Sequence, residues 1–444
     1  METVASPSLW GLVPLLLYIA LCFSRFGQIF AVLVGIVSAA IIGGHGIMEV
    51  AQGIRGGLGS FLGYIGMIIL LGGGLGQVLK RTGVVHILVT MVTSRMKVDS
   101  ERKAFAVVMI CSVVIVSLLG TMAGGNAILA PILIPIAASV GVTPNAMAVL
   151  LHGAGATGLF LGPFTPPMVA LMEFTGLSYP QVLLNAGIPV SVIMWVTTFL
   201  WAGVVQKRYR GRNAYEAADG TEASAYPAEP RVASRAAVVF LVSMVVLVVY
   251  GILIEGGSTF VLPIMGITAF LTGIAGGLGV TEIIESVCEG AKNLVWLFFF
   301  FVLLDPFINF ISAAGAFEAI SQILAPYVQE SSRAAFVAMT TLVGVFGVPG
   351  AAVAQAEVLN KMFLTLAQSM NIPMTVWVIV LLVGSQMTSF AIPEGDMQGQ
   401  MGLARSDDLK SVLCNGWLIV LFTTLYALPP TRSEERRVGK ECRS

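Results

Sequence analysis

The stretch at residues 120–141, GTMAGGNAILAPILIPIAASVG, decides the fold. Four glycines and two prolines lie here between long apolar runs. Proline removes a helical hydrogen bond and glycine weakens a helix, so a plain spanning helix normally avoids both. Broken backbone at membrane depth is tolerated only where protein or a water-filled cavity covers it. We therefore predict that residues 104–141 form a re-entrant hairpin, with its tip and second arm in this stretch.

The composition indicates a polytopic membrane protein built only of α-helices. Hydrophobic residues make up 57% of the chain and charged residues 11%, against roughly 25% charged in an average soluble domain. Apolar runs recur that are long enough to cross a hydrocarbon core of about 30 Å. The formal net charge is zero and no basic patch is interleaved with aromatic residues, so nucleic acid is not an expected partner.

The motifs expected of an enzyme do not occur in the sequence. It contains neither a Walker A sequence, nor a dinucleotide-binding fingerprint, nor a cluster with metal-ligand spacing. We expect an integral protein of the bacterial cytoplasmic membrane that is no enzyme, contacts lipid and holds no cofactor. An ion gradient, of Na⁺ or H⁺, would supply the energy.

The chain reads as two copies of one unit, residues 1–205 and 236–430, joined by a polar cytoplasmic linker at 206–235. Glycines and prolines recur in the same order at offsets of 227 to 229 positions: Gly120 with Gly347, Pro144 with Pro373, Gly155 with Gly384, Pro166 with Pro393 and Gly187 with Gly416. An internal duplication explains this order, although chance matching in a glycine-rich chain is the alternative. The charged run at 431–444 is interpreted as a vector-derived or assembly scar.

Charge predicts the topology of each copy. Basic residues flank an amphipathic stretch at 84–96 and fill the linker, and both regions should lie on the cytoplasmic side. This requires each copy to have five transmembrane helices, one of them broken, plus a hairpin and an interfacial helix. The second copy is then inverted relative to the first. The hairpins are predicted at 104–141 and 334–370, and the broken helices at 144–172 and 373–396.

Breaks at membrane depth create binding groups. A broken helix exposes carbonyl groups that can coordinate Na⁺ and a positive N-terminus that can hold a carboxylate. Suitable side chains occur at the predicted breaks: Thr121, Asn126, Thr157, Thr165, Gln355, Ser385, Gln386, Thr388 and Ser389. The alternative is that these glycines and hydroxyls serve close helix packing.

Three acids are candidates for a proton or cation site, because charge within a membrane is costly and marks function by default. Asp305 lies in FFFFVLLDPFINF, with Asn309 one helical turn later; it could instead cap a break at Pro306. Glu394 and Asp396 follow the second break and could equally lie in a solvated cytoplasmic loop.

Two further features favour structural interpretations. Glu357 and Lys361 are one helical turn apart and predict an internal ion pair on a hairpin arm. His152 opens the first break, but a lone histidine is more typical of a packed, hydrogen-bonded residue.

The run APILIPIAASVGVTPNAM, together with TGLFLGPFTPPMVALMEFTGLSYPQVLLNAGIP, between residues 130 and 189 resembles the large permease subunit of tripartite ATP-independent periplasmic (TRAP) transporters. It is more broadly similar to the ion transporter superfamily, which includes gluconate permeases, dicarboxylate/sodium symporters and a family of sodium/proton antiporters. The resemblance implies a scaffold and a moving part in each half, with ion and substrate held at hairpin tips and helix breaks. One departure is FAIPEGDMQ at residues 390–398, where that subunit would show a second apolar break.

The resemblance also implies site residues. The first site would use Gly124, Gly125, Asn126, Thr157, Thr165 and Pro166, with Thr121 beside them, and the second Gly350, Ser385, Thr388 and Pro393. It further implies a homodimer and, if the protein is of the tripartite type, a small membrane subunit and a solute-binding protein.

The sequence thus predicts a cation-coupled secondary active transporter of a small organic anion, a carboxylate by preference, working by alternating access. The alternative is a Na⁺/H⁺ antiporter in which Asp305, Glu394 or Asp396 titrates. A channel-like or purely structural membrane protein is a third hypothesis, which the paired hairpins disfavour.

Overall fold

A computed structural model describes residues 7–22, 26–212, 214–215, 229–330, 332–347 and 352–428. Within these ranges the chain is helical and contains no strand, which confirms the all-α fold class. Gly350, residues 213 and 216–228 of the linker predicted at 206–235, and the tail from 431 lie outside the described residues.

The helices fall into two series with the same order. After a 3₁₀ turn at Leu9–Leu12, the first series is α1 (Val13–Cys22), α2 (Gln28–Gly43), α3 (Ile47–Gly57), α4 (Phe61–Arg81), α5 (Val84–Met96), α6 (Glu101–Leu119), α7 (Met122–Ser139), α8 (Pro144–Leu161), α9 (Pro166–Thr175), α10 (Tyr179–Val182) and α11 (Ile188–Tyr209). The second is α12 (Pro230–Leu253), α13 (Val261–Ala275), α14 (Val280–Lys292), α15 (Val295–Ala313), α16 (Ala316–Glu330), α17 (Arg333–Val345), α18 (Ala352–Ser369), α19 (Met374–Gln386), α20 (Thr388–Ala391), α21 (Gly395–Leu403) and α22 (Leu409–Ala427).

Local details recur between the series. Helices α3 and α14 are both amphipathic and begin alike: the Glu49 carboxylate accepts the Gly46 amide at 2.8 Å, and Glu282 accepts Gly279 at 2.7 Å. The sequence reasoning missed this pair. The turns before α5 and α16 each hold a glycine in the left-handed region, with φ of 74° and 73°. These recurrences agree with the duplicated order, and the inversion of the second copy stays a prediction.

Helix length bears on the number of crossings. Among the described residues, eight helices are long and apolar enough to cross a membrane, or nine if the bent pair α8 and α9 counts as one span. That set includes α6 and α7, the arms of the predicted hairpin, at 19 and 18 residues. At 1.5 Å per residue each arm is roughly 27–28 Å long. The predicted hairpin therefore has arms as long as spanning helices.

Two compact units emerge from the packing, and neither follows the boundary between the copies. The first comprises Met1–Met67, Val295–Thr388 and Thr423–Ser444, and the second Ile68–Leu294 with Ser389–Phe422. In the first, α15 packs on α2 and α3, and α17 and α18 pack on α19. In the second, α8 lies among α6, α7, α11 and α21, so part of the second series completes a bundle made by the first.

Candidate transport site

The first predicted hairpin tip meets the first helix break. Helix α6 ends at Gly120, whose φ of 69° belongs to the left-handed region that favours glycine. A Cβ on Gly120 would lie 3.4 Å from the Phe164 carbonyl oxygen and 3.7 Å from Cδ of Pro166. The chain between α8 and α9, which bend by 42°, is thus in contact with the turn between α6 and α7.

Threonine hydroxyls line this junction. Oγ1 of Thr121 accepts the Gly124 amide at 2.9 Å and caps α7. Oγ1 of Thr165 lies 2.5 Å from the Leu159 carbonyl oxygen and 2.9 Å from that of Gly162, at the break itself, and can donate to either. Hydroxyl and carbonyl oxygens are the ligands that a broken helix provides for Na⁺. The tip and the break together therefore form an oxygen-lined junction.

Asn126 has a different position from the one its motif suggests. It is fully buried, accepts the Ser112 hydroxyl at 2.6 Å, and donates to the Leu151 carbonyl at 3.0 Å and to Oε1 of Gln400 at 2.7 Å. These bonds tie α7 to α6, α8 and α21. Ser112 and Gln400 were not predicted, since no local motif links them to Asn126.

Two other predicted residues of the first set serve helix packing. A Cβ on Gly125 would lie 2.9 Å from a Val116 methyl group, so this glycine lets the two hairpin arms approach. Thr157 is buried, donates to the Ala154 carbonyl at 2.7 Å and accepts the Trp195 indole at 3.0 Å. Their positions fit the packing alternative more closely than direct binding.

The second copy repeats the contact between hairpin and break in the other compact unit. The Gly344 carbonyl, near the end of α17, accepts Nε2 of Gln355 at 3.1 Å and the Thr388 hydroxyl at 3.4 Å. A Cβ on Gly344 would lie 2.7 Å from the Gly384 carbonyl oxygen, so helices α17 and α19 touch. Ser385 is buried beside them and accepts the Gln386 amide at 3.3 Å. The structure thus brings Ser385 and Thr388 to one hairpin.

The acidic candidates lie in different surroundings. Asp305 is half-buried on α15 and accepts Nδ2 of Asn309 at 3.1 Å, as their spacing predicts. Glu394 is half-buried at the N-cap position of α21, where its side chain makes no capping hydrogen bond, while Asp396 is exposed in the first turn of that helix. Pro393 is half-buried before them and belongs to the second unit, whereas Asp305, Ser385 and Thr388 belong to the first.

His152 is fully buried on α8. Its ring packs on Phe390 with centroids 4.4 Å apart, and neither ring nitrogen has a hydrogen-bond partner among the described residues. The packed position agrees with the sequence interpretation, but the expected hydrogen bond is missing. The described residues also contain no group of three or more His, Cys, Asp and Glu side chains that could hold a metal ion.

A cavity of about 680 Å³ opens beside the first break, in the second unit. Pro163 and Phe164 border it on one side, and the end of α12 with the turn before α13 borders it on the other. The charged residues in its lining are Glu173 and Glu255. A cavity with carboxylates as its charged groups favours a cation or a neutral solute over an anion.

Residues 3–178 match the profile of the Na⁺/H⁺ antiporter family, a match that includes the first hairpin and break but less than half of the chain. The Alcanivorax borkumensis YdaH transporter has a similar structure, with a TM-score of 0.59 at 15% identity, over 94% of this chain and 97% of that one. The chain has the same fold as that protein.

A second solved structure supports the same conclusion. MtrF of Neisseria gonorrhoeae, described with a class of antimetabolite efflux pumps, has a TM-score of 0.56 at 14% identity. The match covers 87% of this chain and 84% of MtrF. Comparison with curated proteins gives no match. The chain therefore shares the fold of these two proteins, and its apolar helices indicate an integral membrane protein. These similarities do not show a TRAP permease, so that resemblance stays a prediction.

Proposed function

We propose that the protein is a cation-coupled secondary active transporter of the bacterial cytoplasmic membrane, and that Na⁺/H⁺ exchange is its first candidate activity. The contact of the tip at Gly120 with the break at Phe164 and Pro166 carries this proposal. It gathers hydroxyl and carbonyl oxygens where two helices are interrupted, as a site for Na⁺ requires. The antiporter-family match over residues 3–178 covers this same junction.

In this proposal, acidic side chains bind the proton that is exchanged for Na⁺. Glu394 and Asp396 follow the interruption between α20 and α21, whereas Asp305 lies on α15, which continues unbroken through Pro306, so the alternative that it caps a break there is wrong. A carboxylate that binds either a proton or Na⁺ couples the two ions by competition. Alternating access would then expose the site to one face at a time. Na⁺ and H⁺ are here the transported ions, and the proposal includes neither a cofactor nor an enzymatic step.

A small organic solute is the second candidate cargo. The observation that favours it is the 680 Å³ cavity beside the break, which exceeds what an ion needs. The fold similarity to MtrF, a protein described with antimetabolite efflux pumps, points the same way. Because Glu173 and Glu255 are the charged groups in the lining, a neutral or cationic solute fits this cavity better than the carboxylate predicted from the sequence.

The test uses the purified full-length protein in liposomes that enclose a pH-sensitive dye. With an acid interior and no organic solute present, external Na⁺ should raise the internal pH, whereas choline should not. Unchanged internal pH in the wild type would exclude Na⁺/H⁺ exchange. Sodium-driven accumulation of a labelled solute, in the same liposomes, would support the second candidate.

The junction itself is tested at Thr165. Thr165→Val removes the hydroxyl with little change of shape, and we expect the half-saturating Na⁺ concentration to rise by roughly tenfold, equivalent to about 1.4 kcal/mol. Thr165→Ser keeps the hydroxyl and should stay near wild type. Thr93→Val is the matched control, since Thr93 is half-buried on α5 and, among the described residues, bonds only the Thr90 carbonyl of its own helix. An equal response of both valine variants would remove Thr165 from the site.

A further inference from the structure

A continuous chain of polar groups links α15 to α18 within the first compact unit. Nζ of Lys361 lies 2.8 Å from Oε1 of Glu357 and donates to Oδ1 of Asn309 at 3.0 Å. Nδ2 of Asn309 donates in turn to Oδ2 of Asp305 at 3.1 Å. The expected ion pair on the hairpin arm therefore exists, but it extends to the acid on α15 that was already a cation candidate.

Glu357 is only half satisfied by this chain. The residue is 8% exposed, and among the described residues its second oxygen, Oε2, is buried without a hydrogen-bond partner. A buried acceptor that is left unpaired costs about 1–3 kcal/mol, and more when it is charged. A native structure that retains one calls for an explanation, of which a bound ion or proton is one.

The first copy of the repeat serves as an internal control. Its matching arm, α7, contains no charged residue, and the positions 229 residues before Glu357 and Lys361 are Ile128 and Ile132. The arm therefore forms without an ion pair. Replacing a buried ion pair by apolar residues is often neutral or stabilising, so the charges on α18 do not follow from the needs of the fold.

The net charge of the cluster is such that one monovalent cation would neutralise it. Two carboxylates and one ammonium group, all ionised, sum to a net charge of −1. One monovalent cation or one proton neutralises it. Asn309 is exposed and the Lys361 side chain is about a third exposed, so ions can reach the cluster from that end. Lys361 can also leave Glu357 while its bond to Asn309 holds it nearby.

Other groups near the cluster are few. Ser60 lies near Asp305, but its hydroxyl donates to the Gly57 carbonyl at 2.8 Å. Of the described charged residues on helices packed against α18, α16 contributes Glu318 and, at its last position, Glu330; α17 contributes Arg333 at its first position, and α19 contributes none.

We propose that Glu357 is a ligand of the coupling cation, and that the Lys361 ammonium group is paired with the Glu357 carboxylate until the cation displaces it. Glu357 is the binding residue and Lys361 the positioning residue. This inference rests on the proposed cation-coupled transport and assigns part of its coupling site. It extends that site from the acids identified in the sequence to a pair whose spacing suggested a structural role.

The two members of the pair should respond in opposite directions. Glu357→Gln removes a ligand and should abolish the effect of Na⁺ on transport and on the thermal midpoint of the purified protein, measured in NaCl against choline chloride. Lys361→Met removes the competitor and should lower the half-saturating Na⁺ concentration at least threefold. If the proton is the coupling ion, Lys361→Met should instead move half-maximal transport to higher pH.

A purely structural ion pair predicts another outcome. Both single variants would then lose stability alike, and Glu357→Gln/Lys361→Met would restore it together with the ion response. Glu289→Gln is the matched control, because it breaks an exposed pair with Arg81, 2.9 Å apart, in the other unit. This control should retain the wild-type ion response.

The results separate this inference from the proposed function. A wild-type protein that responds to neither Na⁺ nor pH gradients would refute the proposed function. A responsive wild type whose Glu357→Gln form keeps the same half-saturating ion concentration would refute only the role of Glu357. If Glu357→Gln does not fold, the double variant decides, and an unchanged ion response in it would equally overturn the inference.

Discussion

Asn126→Ala tests whether the buried asparagine behind the hairpin tip joins helices or binds the ion. The side chain makes three hydrogen bonds, to Ser112, Leu151 and Gln400, on three different helices. Interhelical hydrogen bonds in membranes average about 0.6 kcal/mol each, which sums to about 2 kcal/mol. Counted instead as the Ser112 hydroxyl and the Gln400 side chain left without buried partners, the same loss costs about 1–3 kcal/mol per group, or about 2–6 kcal/mol together. The two counts describe the same bonds and are not added, so we expect a destabilisation of about 2–6 kcal/mol.

The measurement is unfolding by sodium dodecyl sulfate in mixed micelles, followed by tryptophan fluorescence. Ser139→Ala is the control, since Ser139 is exposed on the same helix and bonds only the Ile136 carbonyl of its own helix; it should change stability by less than about 0.5 kcal/mol. A double variant with Gln400→Met should be less than additive, because the two residues share a bond. A loss below about 1 kcal/mol with weakened Na⁺ binding would refute the structural role and favour a ligand.

Two further variants test the packing and the repeated helix start. Gly155→Ala places its Cβ 2.7–2.8 Å from α7 side chains and should destabilise the protein by about 1–3 kcal/mol. Gly203→Ala is the control: Gly203 has open space around it, and the variant should be more stable by about 0.5–1 kcal/mol. Equal effects of the two variants on stability would contradict this packing. Glu282→Gln weakens the hydrogen bond to the Gly279 amide and should lower the stability of the protein by up to about 1 kcal/mol. Glu285 is exposed on the same helix, so Glu285→Gln should leave stability unchanged. Both variants are measured in the same unfolding assay.

The helix boundaries followed closely from local sequence. The amphipathic stretch predicted at 84–96 is α5, and the glycines and prolines at 120, 144 and 166 mark helix ends or starts in the structure. Such signals act within a few residues, because proline blocks one turn and glycine at positive φ ends one. The amphipathic pair α3 and α14 was missed, since short helices with several glycines or acids resemble loops in a hydropathy reading.

The roles of the candidate residues could not be assigned in the same way. Thr121 and Thr165 lie at the junction of tip and break, whereas Gly125 and Thr157 serve packing, although all four come from equally suggestive motifs. Glycines and hydroxyls suit both roles, and the choice between them depends on which helix lies opposite.

By itself, the sequence determined the all-helical membrane class and the positions of several helix ends, because hydropathy and backbone propensity are local properties; the duplication stays a prediction. The tertiary structure alone decided what each polar group does. It bonds Asn126 to Gln400, 274 positions away, and leaves one oxygen of Glu357 buried beside Lys361 without a described partner. Hydrogen-bond satisfaction and desolvation depend on neighbours that are distant in the chain, so no local motif distinguishes a linking amide from a carboxylate with an open coordination position.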